Sequence, residues 1–360
     1  MINPPPLGTL LDWSEIADEP WQVLLLGNGL SINVYPYFGY HSLYGEAHEP
    51  DFDEGLTPKE QAIFDTFATT NFEFVLSKLR DGVMLAEGMG LDSGPYRERF
   101  LEVQAALGRT VRRVHVPWQK VPSSALSDIK AYLREFGTVF STSYDLLLYW
   151  AIVHEDDYRD FCDCFWANER HEFDPENCEA RPNQIPIYYL HGALHLVVDP
   201  TGATRKLVKQ DGGRLLSQFG KASSDKLESR PLLITEGSSR DKLRAIEGND
   251  YLAHVYDQLQ NASSPLLVFG HSLGEQDQHL IDAINSHPDR PVAISMRDVG
   301  RERLREDQAR IRGKLHTDAA TFYDASTHPL GSPQLRAETP RERTASGRWR
   351  PSWLSASSSR

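Results

Sequence analysis

The chain has few cysteines and no long apolar stretch. Its 360 residues include only 3 Cys, too few for the disulfide framework that stabilises small secreted domains. No apolar run approaches the roughly 18 residues that cross a bilayer. Residues 1–21 show neither the basic region nor the apolar region of a signal peptide. We therefore expect a cytoplasmic protein without a membrane span.

Basic residues are also in short supply. The chain has 38 Lys and Arg against 51 Asp and Glu, a net charge of −13. This charge argues against a broad nucleic-acid surface, which needs a basic face, and leaves a local basic groove open. The exception is the end of the chain, where residues 329–360 are rich in Ser, Pro and Arg. We expect this tail to be disordered, and any contact with nucleic acid would run through it.

Short apolar runs of strand type alternate with helical patterns along most of the chain. This alternation predicts an α/β fold with a Rossmann-like, doubly wound, mostly parallel sheet. We predict an N-terminal arm over 1–20, one domain over 21–328 and the disordered tail over 329–360. The domain would carry helical and loop insertions at about 40–135, 155–184 and 209–230. Within the first insertion, apolar residues at three- and four-residue spacing predict a single amphipathic helix from Pro58 to Val83.

Three short segments follow strand-like runs and carry polar or glycine residues. They are Gly27-Asn28-Gly29-Leu30-Ser31, Ser141-Thr142-Ser143-Tyr144-Asp145 and His191-Gly192. Ligands bind where parallel strands end in open α/β sheets, so we expect these segments to share one crevice. Taken singly, they could also be a plain turn, a helix cap and a structural histidine.

A fourth segment, Gly270-His271-Ser272-Leu273-Gly274, fits the nucleophile elbow of α/β-hydrolases. Ser272 would then be the nucleophile, and His191-Gly192 could form an oxyanion-hole loop. Residues of the types that complete a triad follow in the chain: Asp277, Asp298, His287 and His316. This hypothesis leaves the first two segments without a role.

The cysteines offer little for a metal. Cys162, Cys164 and Cys178 lie near His154 and His171, but the spacing is not that of a Cys-x-x-Cys zinc knuckle. We expect scattered thiols and no metal site.

Taken together, the segments resemble the sirtuin-like (SIR2-like) NAD-binding superfamily in its divergent prokaryotic branch. The order of glycine loop, T-x-N-x-D-like segment, His-Gly and Gly-x-Ser matches that superfamily. The chain is also similar to the uncharacterised DUF4917 family. The residues that carry this second likeness are Asn71-Phe72-Glu73, Ser141 to Ala151, Thr235 to Ser239 and Phe269 to Asp277.

The resemblance implies binding of NAD⁺ and cleavage of its nicotinamide–ribose bond, without a zinc. It implies that His191 acts as the base and that Asp145 orients the 141–145 loop. The cofactor-binding residues would be Gly27, Asn28, Gly29, Ser31, Thr142, Ser143, Gly270, Ser272 and Leu273. Relatives without zinc are often NAD⁺ hydrolases of antiphage defence, which implies a sensor partner or a homo-oligomer as activator.

One residue departs from the superfamily pattern. Ser143 stands where relatives place a catalytic asparagine, and a carboxamide both donates and accepts hydrogen bonds over a longer reach than a hydroxyl. Loss of one such positioned group costs on the order of 10²–10³ in rate. A weakly active or inactive module that binds NAD or ADP-ribose is therefore the alternative to an NAD⁺ glycohydrolase.

Overall fold

The computed structural model describes most of the chain. The described residues are 5–38, 43–49, 54–156, 158–165, 170–178, 183–199, 201–208, 230–234, 238–317 and 320–337, with the backbone of 342–343 and 349–350. The predicted loop at 209–230 lies, apart from Arg230, outside the described residues, as do Thr235 and most of the tail.

Seven parallel strands form the central sheet. In chain order the strands are β1 Val23–Leu26, β2 Thr138–Ser141, β3 Phe161–Cys162, β4 Ile185–Tyr189, β5 Gly192–Val198, β6 Thr204–Lys206, β7 Arg230–Leu233, β8 Leu266–Phe269, β9 Val292–Met296, β10 Ala320–Asp324, β11 Glu342–Arg343 and β12 Trp349–Arg350. The sheet order is β10-β9-β8-β1-β2-β4-β3, and every pair in it is parallel. The predicted fold class is confirmed.

The sequence of the inner strands explains their position. β1 and β8 are continuous apolar runs whose residues are all buried, as expected for parallel strands covered by helices on both faces. The chain leaves β1 toward β2 on one side and later returns to β8 on the other. The strand order therefore reverses at β1, and ligand crevices form at such a reversal, beyond the carboxyl ends of the strands.

A small antiparallel sheet packs beside the main one. It has the order β6-β5-β7, and all seven residues of β5 are buried. β5 begins directly after β4, so the short connection between the two strands carries His191. This second sheet therefore fixes the backbone on which the predicted base lies.

Helices cover both faces of the sheet. They are α1 Gly29–Val34, α2 Leu43–Ala47, α3 Pro58–Thr66, α4 Phe72–Gly88, α5 Gly94–Val114, α6 Ser123–Leu133, α7 Leu147–Val153, α8 Ser239–Glu247, α9 Asp250–Asn261, α10 Gln278–Ile284 and α11 Arg301–Arg312. Among the described residues, no helix combines the length and apolar character needed to cross a membrane.

The single helix predicted from Pro58 to Val83 is wrong. The first helix, α3, ends at Thr66, and Ala68 has a φ of 49°. A new helix, α4, then begins after Asn71, whose side chain accepts a hydrogen bond from the Phe74 backbone N–H. The apolar spacing runs through both helices, so periodicity alone could not show the break.

The predicted insertion at 155–184 contributes to the core. Its Phe161–Cys162 segment is an edge strand of the main sheet, and Cys164 forms a disulfide with Cys178. The prediction of scattered thiols is therefore wrong for Cys164 and Cys178, whereas Cys162 is free.

Residues on both sides of the predicted domain, 21–328, also pack against the fold. In the N-terminal arm, Leu11 pairs with Tyr323 of β10 and Ile16 is buried. After residue 328 the chain forms two 3-10 turns with buried Leu330 and Leu335. The first residues of the predicted tail are thus ordered, and the folded domain continues to at least Ala337.

Candidate functional site

One large cavity opens at the carboxyl edge of the sheet, where the strand order reverses. Its volume is about 1200 Å³, at the upper end of the roughly 300–1,000 Å³ typical of ligand pockets. Six of the predicted site residues line it: Asn28, Gly29, Thr142, His191, Gly270 and Ser272. They come from the segments after β1, β2, β4 and β8, so the expected convergence on one crevice occurs.

Backbone contacts with both sheets hold His191 at this edge. Leu190 donates its N–H to the Ser141 carbonyl (2.8 Å), and the His191 carbonyl accepts from Ile234 (2.8 Å). Gly192 has a φ of 72°, and a Cβ on it would lie 1.9 Å from the Leu232 carbonyl oxygen. Only glycine fits there, which explains why the His-Gly pair occurs as a unit.

Asp145 joins the glycine loop to the 141–145 segment behind the cavity wall. Its Oδ2 accepts a 2.5 Å hydrogen bond from Ser31 Oγ and a second bond from Ser143 Oγ. Its Oδ1 accepts the backbone N–H of Leu147 at 2.8 Å. Ser143 Oγ also lies 3.3 Å from Asn28 Oδ1. The Asp145 carboxylate therefore fixes both loops, and the Ser143 hydroxyl faces it.

The loops after β1 and β8 touch backbone to backbone. Gly29 donates its N–H to the Gly270 carbonyl at 2.8 Å, and a Cβ on Gly29 would lie 2.4 Å from the Gly270 Cα. Gly270 itself has a φ of 70°. Among the other predicted residues of these loops, Gly27 bonds to the Phe269 carbonyl (2.8 Å) and Leu273 is fully buried. The glycines thus serve close packing of the cavity floor.

His191 has a second imidazole as its partner. Its Nε2 lies 3.0 Å from Nε2 of His279, and Nδ1 of His279 lies 3.1 Å from Ser239 Oγ. The Ser239 hydroxyl also accepts the backbone N–H of His279 at 2.8 Å. Since Nε2 of His191 is occupied, its Nδ1 edge is the part of the ring left to meet a ligand in the cavity.

Burial, more than the surrounding charges, keeps both rings of the imidazole pair neutral. Burial, followed by nearby Lys242, holds the pKa of His191 well below its ordinary value. Burial also lowers the pKa of His279, to about 4. For Asp277, burial opposes ionisation, but His271 and Lys242 outweigh it and lower the pKa of the carboxyl; Lys242 Nζ lies 2.7 Å from its Oδ1. The cluster therefore contains the Lys242–Asp277 ion pair beside the neutral imidazoles of His191 and His279.

Two groups of described residues bring metal-ligand atoms within 4.8 Å of one another. In the first, Cys164 and Cys178 are joined as a disulfide and offer no thiolate. In the second, His191, Asp277 and His279 are held by hydrogen bonds and by the Lys242 ion pair. A cation there would have to displace Lys242 from Asp277.

In the described part of the chain, no catalytic base stands next to Ser272, although the nucleophile-elbow hypothesis requires one. His271 Nδ1 accepts the backbone N–H of Leu273 at 3.0 Å, and its Nε2 lies 3.7 Å from Asp277. Among the described residues, no imidazole forms a hydrogen bond with the Ser272 hydroxyl. Asp298, a candidate triad acid, instead accepts the Gly300 backbone N–H. Ser272 therefore contributes to the cavity wall without an activating partner.

Sequence reasoning missed the residues that surround the predicted base. His279 lies two positions beyond the Phe269 to Asp277 motif, and Lys242 lies on α8. Neither comes directly after a strand, because each lies within a helix about nine or ten residues beyond one, so the strand-end rule did not indicate them. His115 was also missed; it is buried and accepts the Leu146 backbone N–H at Nε2 (3.0 Å), which fixes the end of the 141–145 loop.

Fold and site define a parallel α/β protein with a ligand crevice at the switch point of its sheet. The chain belongs to the DUF4917 family, described as a domain of unknown function, whose profile matches residues 24–328. The resemblance to this family is confirmed. No functionally curated protein matches the chain.

Several solved structures of Sir2 proteins are similar to the chain. One is Sir2Tm bound to a propionylated peptide, with 12% identity over 88% of this chain and 93% of that one and a TM-score of 0.37. Another is Sir2 bound to an acetylated peptide, with 12% identity, coverage of 89% and 94%, and a TM-score of 0.38. A third, from work on the mechanism and regulation of Sir2 enzymes, has 12% identity, coverage of 89% and 92%, and a TM-score of 0.36.

Proposed function

We propose that the protein is an NAD⁺ glycohydrolase that cleaves the nicotinamide–ribose bond. The observation that supports this most is the single cavity of about 1200 Å³ that His191 shares with the loops after β1, β2 and β8. The lining residues extend from the end of β4 to the end of β10, five strand spacings or roughly 24 Å at about 4.8 Å each. An extended dinucleotide fits such a length, with nicotinamide toward His191.

In this reaction His191 takes a proton from the attacking water. The water oxygen bonds to the ribose C1′, the glycosidic bond breaks, and its electron pair leaves with neutral nicotinamide. For Nδ1 to accept the water proton, His191 must carry its own proton on Nε2 and donate it to His279 Nε2. His279 then carries its proton on Nδ1, where Ser239 Oγ accepts it.

The pair also offers a way for the proton to leave. A base whose pKa is low is unprotonated at neutral pH but holds an accepted proton weakly. When Nδ1 of His191 gains a proton, its Nε2 proton can pass to Nε2 of His279, and the two nitrogens are 3.0 Å apart. His279 would thus be a positioning and relay residue rather than a group that touches the substrate.

The position of Ser143 favours one alternative. Its hydroxyl is engaged by Asp145 and lies near Asn28, so it is poorly placed to orient a ribose hydroxyl or a water. A module that binds NAD⁺ or ADP-ribose without turning it over fits this observation. The two proposals share the cavity and differ only in whether nicotinamide is released.

The cellular role we propose is depletion of NAD⁺ in antiphage defence. The support for it is the sequence resemblance to zinc-free sirtuin-like NAD⁺ hydrolases. A sensor protein or self-association would act as the activator. Infection of cells with and without the gene, followed by measurement of total NAD⁺, tests this role apart from the chemistry. Unchanged NAD⁺ during infection would contradict it.

Nicotinamide release from NAD⁺ tests the chemistry directly. Wild type, His191→Ala and Ser143→Asn are compared by chromatography, with calorimetry for NAD⁺ binding. We expect release by wild type, faster release by Ser143→Asn on the order of 10²-fold, and none by His191→Ala. His316→Ala is the matched control, because His316 is exposed and outside the cavity.

The outcomes separate the two proposals. Binding of NAD⁺ without release, in wild type and in Ser143→Asn, would establish the binding module instead. Absence of both binding and release would overturn both functions.

A further inference from the structure

The end of the cavity opposite His191 is strongly basic. Four arginines line it: Arg297, Arg303, Arg310 and Arg336. They come from the end of β9, from α11 and from the 3-10 turns that follow residue 328. Asp307 lines the same end and pairs with Arg303 and Arg310, so four guanidinium groups face one carboxylate there. In a chain with a net charge of −13, this local excess of positive charge marks a site for anionic groups.

Two of these arginines interact with other groups of the protein. Arg310 donates to the carbonyls of Leu273 (2.7 Å) and Ser272 (3.2 Å), so it supports the loop after β8. Arg303 pairs with Asp307 at 3.2 Å. Arg297 and Arg336 differ: both are exposed, and within the described part of the chain neither forms an ion pair or side-chain hydrogen bond. Their donors are therefore available to a ligand.

The carboxylate next to Arg297 is directed elsewhere. Asp298 accepts the Gly300 backbone N–H at 3.0 Å and lines a different cavity, formed with Gly8 to Asp12. Dinucleotide sites that select a free ribose 2′-hydroxyl place a carboxylate near the end of a strand, whereas sites for a 2′-phosphate place an arginine there. At the end of β9, the arginine faces the cavity and the carboxylate does not.

From this arrangement we infer that the cavity selects a dinucleotide phosphorylated on its adenosine ribose, NADP⁺ over NAD⁺, with Arg297 and Arg336 binding the 2′-phosphate. The inference rests on the proposed function for the orientation of the ligand, with adenosine toward β9. The inference adds a substrate class to that function. The glycine loops can bind the pyrophosphate of either dinucleotide, so the arginines are needed only for the extra phosphate of NADP⁺. Guanidinium groups suit a phosphate because they donate bidentate, charge-assisted hydrogen bonds.

Calorimetry on the full chain tests the inference without relying on turnover. NADP⁺ and NAD⁺ are compared first, then adenosine 2′,5′-bisphosphate and adenosine 3′,5′-bisphosphate, which have equal charge and differ only in phosphate position. We expect NADP⁺ to bind about tenfold or more tightly than NAD⁺ and the 2′,5′ isomer to bind more tightly than the 3′,5′ isomer. Arg297→Gln should weaken the binding of NADP⁺ about tenfold more than the binding of NAD⁺.

The matched control is Arg305→Gln. Arg305 lies on α11, is exposed and is outside the cavity, and the change removes the same charge. Equal affinities for NADP⁺ and NAD⁺, equal affinities for the two bisphosphates, or an equal loss in Arg305→Gln would overturn the inference. A clear preference without nicotinamide release would leave the inference standing while the glycohydrolase proposal fails. Release from NAD⁺ with no preference would do the reverse.

Discussion

His191 and His279 face each other through their Nε2 atoms at 3.0 Å, both buried and both with a lowered pKa. One ring must donate and the other accept, so the tautomer of each determines that of its partner. Ser239 fixes the far side of His279. The pair therefore acts as one unit in which the state of the cavity-facing nitrogen depends on a residue that the ligand does not touch.

Replacing His279 should affect turnover more than binding. In His279→Gln we expect kcat for nicotinamide release to fall by about 10²-fold with KM unchanged, because His191 remains in the cavity wall but loses its relay. The wild-type rate should be independent of pH from about 6 to 8, since both imidazoles stay neutral there, and the variant should show a changed acid limb. Steady-state kinetics from pH 8 down to about 4, the pKa of His279, measure both effects.

A purely structural role for His279 would give a different pattern. It would lower the melting temperature and the amount of folded protein, with an unchanged pH profile per folded molecule. The exposed His316→Gln variant controls for the loss of an imidazole elsewhere on the surface.

The position of the site follows from the sequence because strand ends are local features. Gly27, Ser141 and His191 each come at or directly after an apolar strand, and parallel strands bring their carboxyl ends to one edge. Asp145 could also be placed in this region from its segment alone. What the sequence could not show is that its carboxylate reaches Ser31 in α1, after the neighbouring strand β1, since that contact depends on how the two loops are positioned relative to each other.

The surroundings of the site depend on longer-range packing. Lys242 and His279 reach His191 because α8 and α10 pack together, and no spacing in the chain encodes that contact. Arg336 falls in the segment that composition predicts to be disordered, yet buried Leu335 and Ala337 on either side of it anchor the chain. The low average apolar content of residues 329–360 predicted disorder, although a few apolar residues at the start of that segment pack into the core.

His195 should tolerate, and benefit from, an apolar replacement. It is fully buried and stacks on Tyr149 with ring centroids 4.5 Å apart. Among the described residues, neither ring nitrogen has a hydrogen-bond partner. Because a buried unpaired polar group costs about 1–3 kcal/mol, we expect His195→Phe to raise the free energy of unfolding by about 1 kcal/mol at pH 7. Urea denaturation measures this, and a loss of more than that amount would show that the imidazole is needed.

The same variant should be less sensitive to acid. Burial lowers the pKa of His195 well below its ordinary value, so as pH falls below about 6.5 the unfolded state gains a proton that the folded state does not. The free energy of unfolding of the wild type therefore decreases as pH falls, because protonation of His195 favours the unfolded state. Repeating the denaturation between pH 7.5 and pH 5 should give a shallower decline for His195→Phe than for wild type, whereas parallel curves would contradict the assignment.

Gly29 should be intolerant of any side chain. A Cβ there would lie 2.4 Å from the Gly270 Cα and 2.8 Å from its carbonyl oxygen, both backbone atoms. We expect Gly29→Ala to lower the free energy of unfolding by about 2–3 kcal/mol. It should also weaken dinucleotide binding, because the loops after β1 and β8 must move apart at the cavity floor. Gly88→Ala is the control: in the part of the chain that the structure describes, nothing lies within 4 Å of its Cβ position, and the change should stabilise the protein by about 0.4–1 kcal/mol. Equal effects of the two changes would refute close packing as the reason for Gly29.

The disulfide should stabilise the edge of the main sheet. Cys164 and Cys178 are 14 residues apart and bracket the segment after β3, and closing a loop of this size stabilises by about 3 kcal/mol. We expect the Cys164→Ser, Cys178→Ser double variant, and wild type under reductant, to lose a similar amount in denaturation. Alkylation of the unfolded chain followed by mass spectrometry should label one cysteine, Cys162, before reduction and three after it. Three labels without reduction would show that the bond does not form, and the double variant should then match wild type in stability.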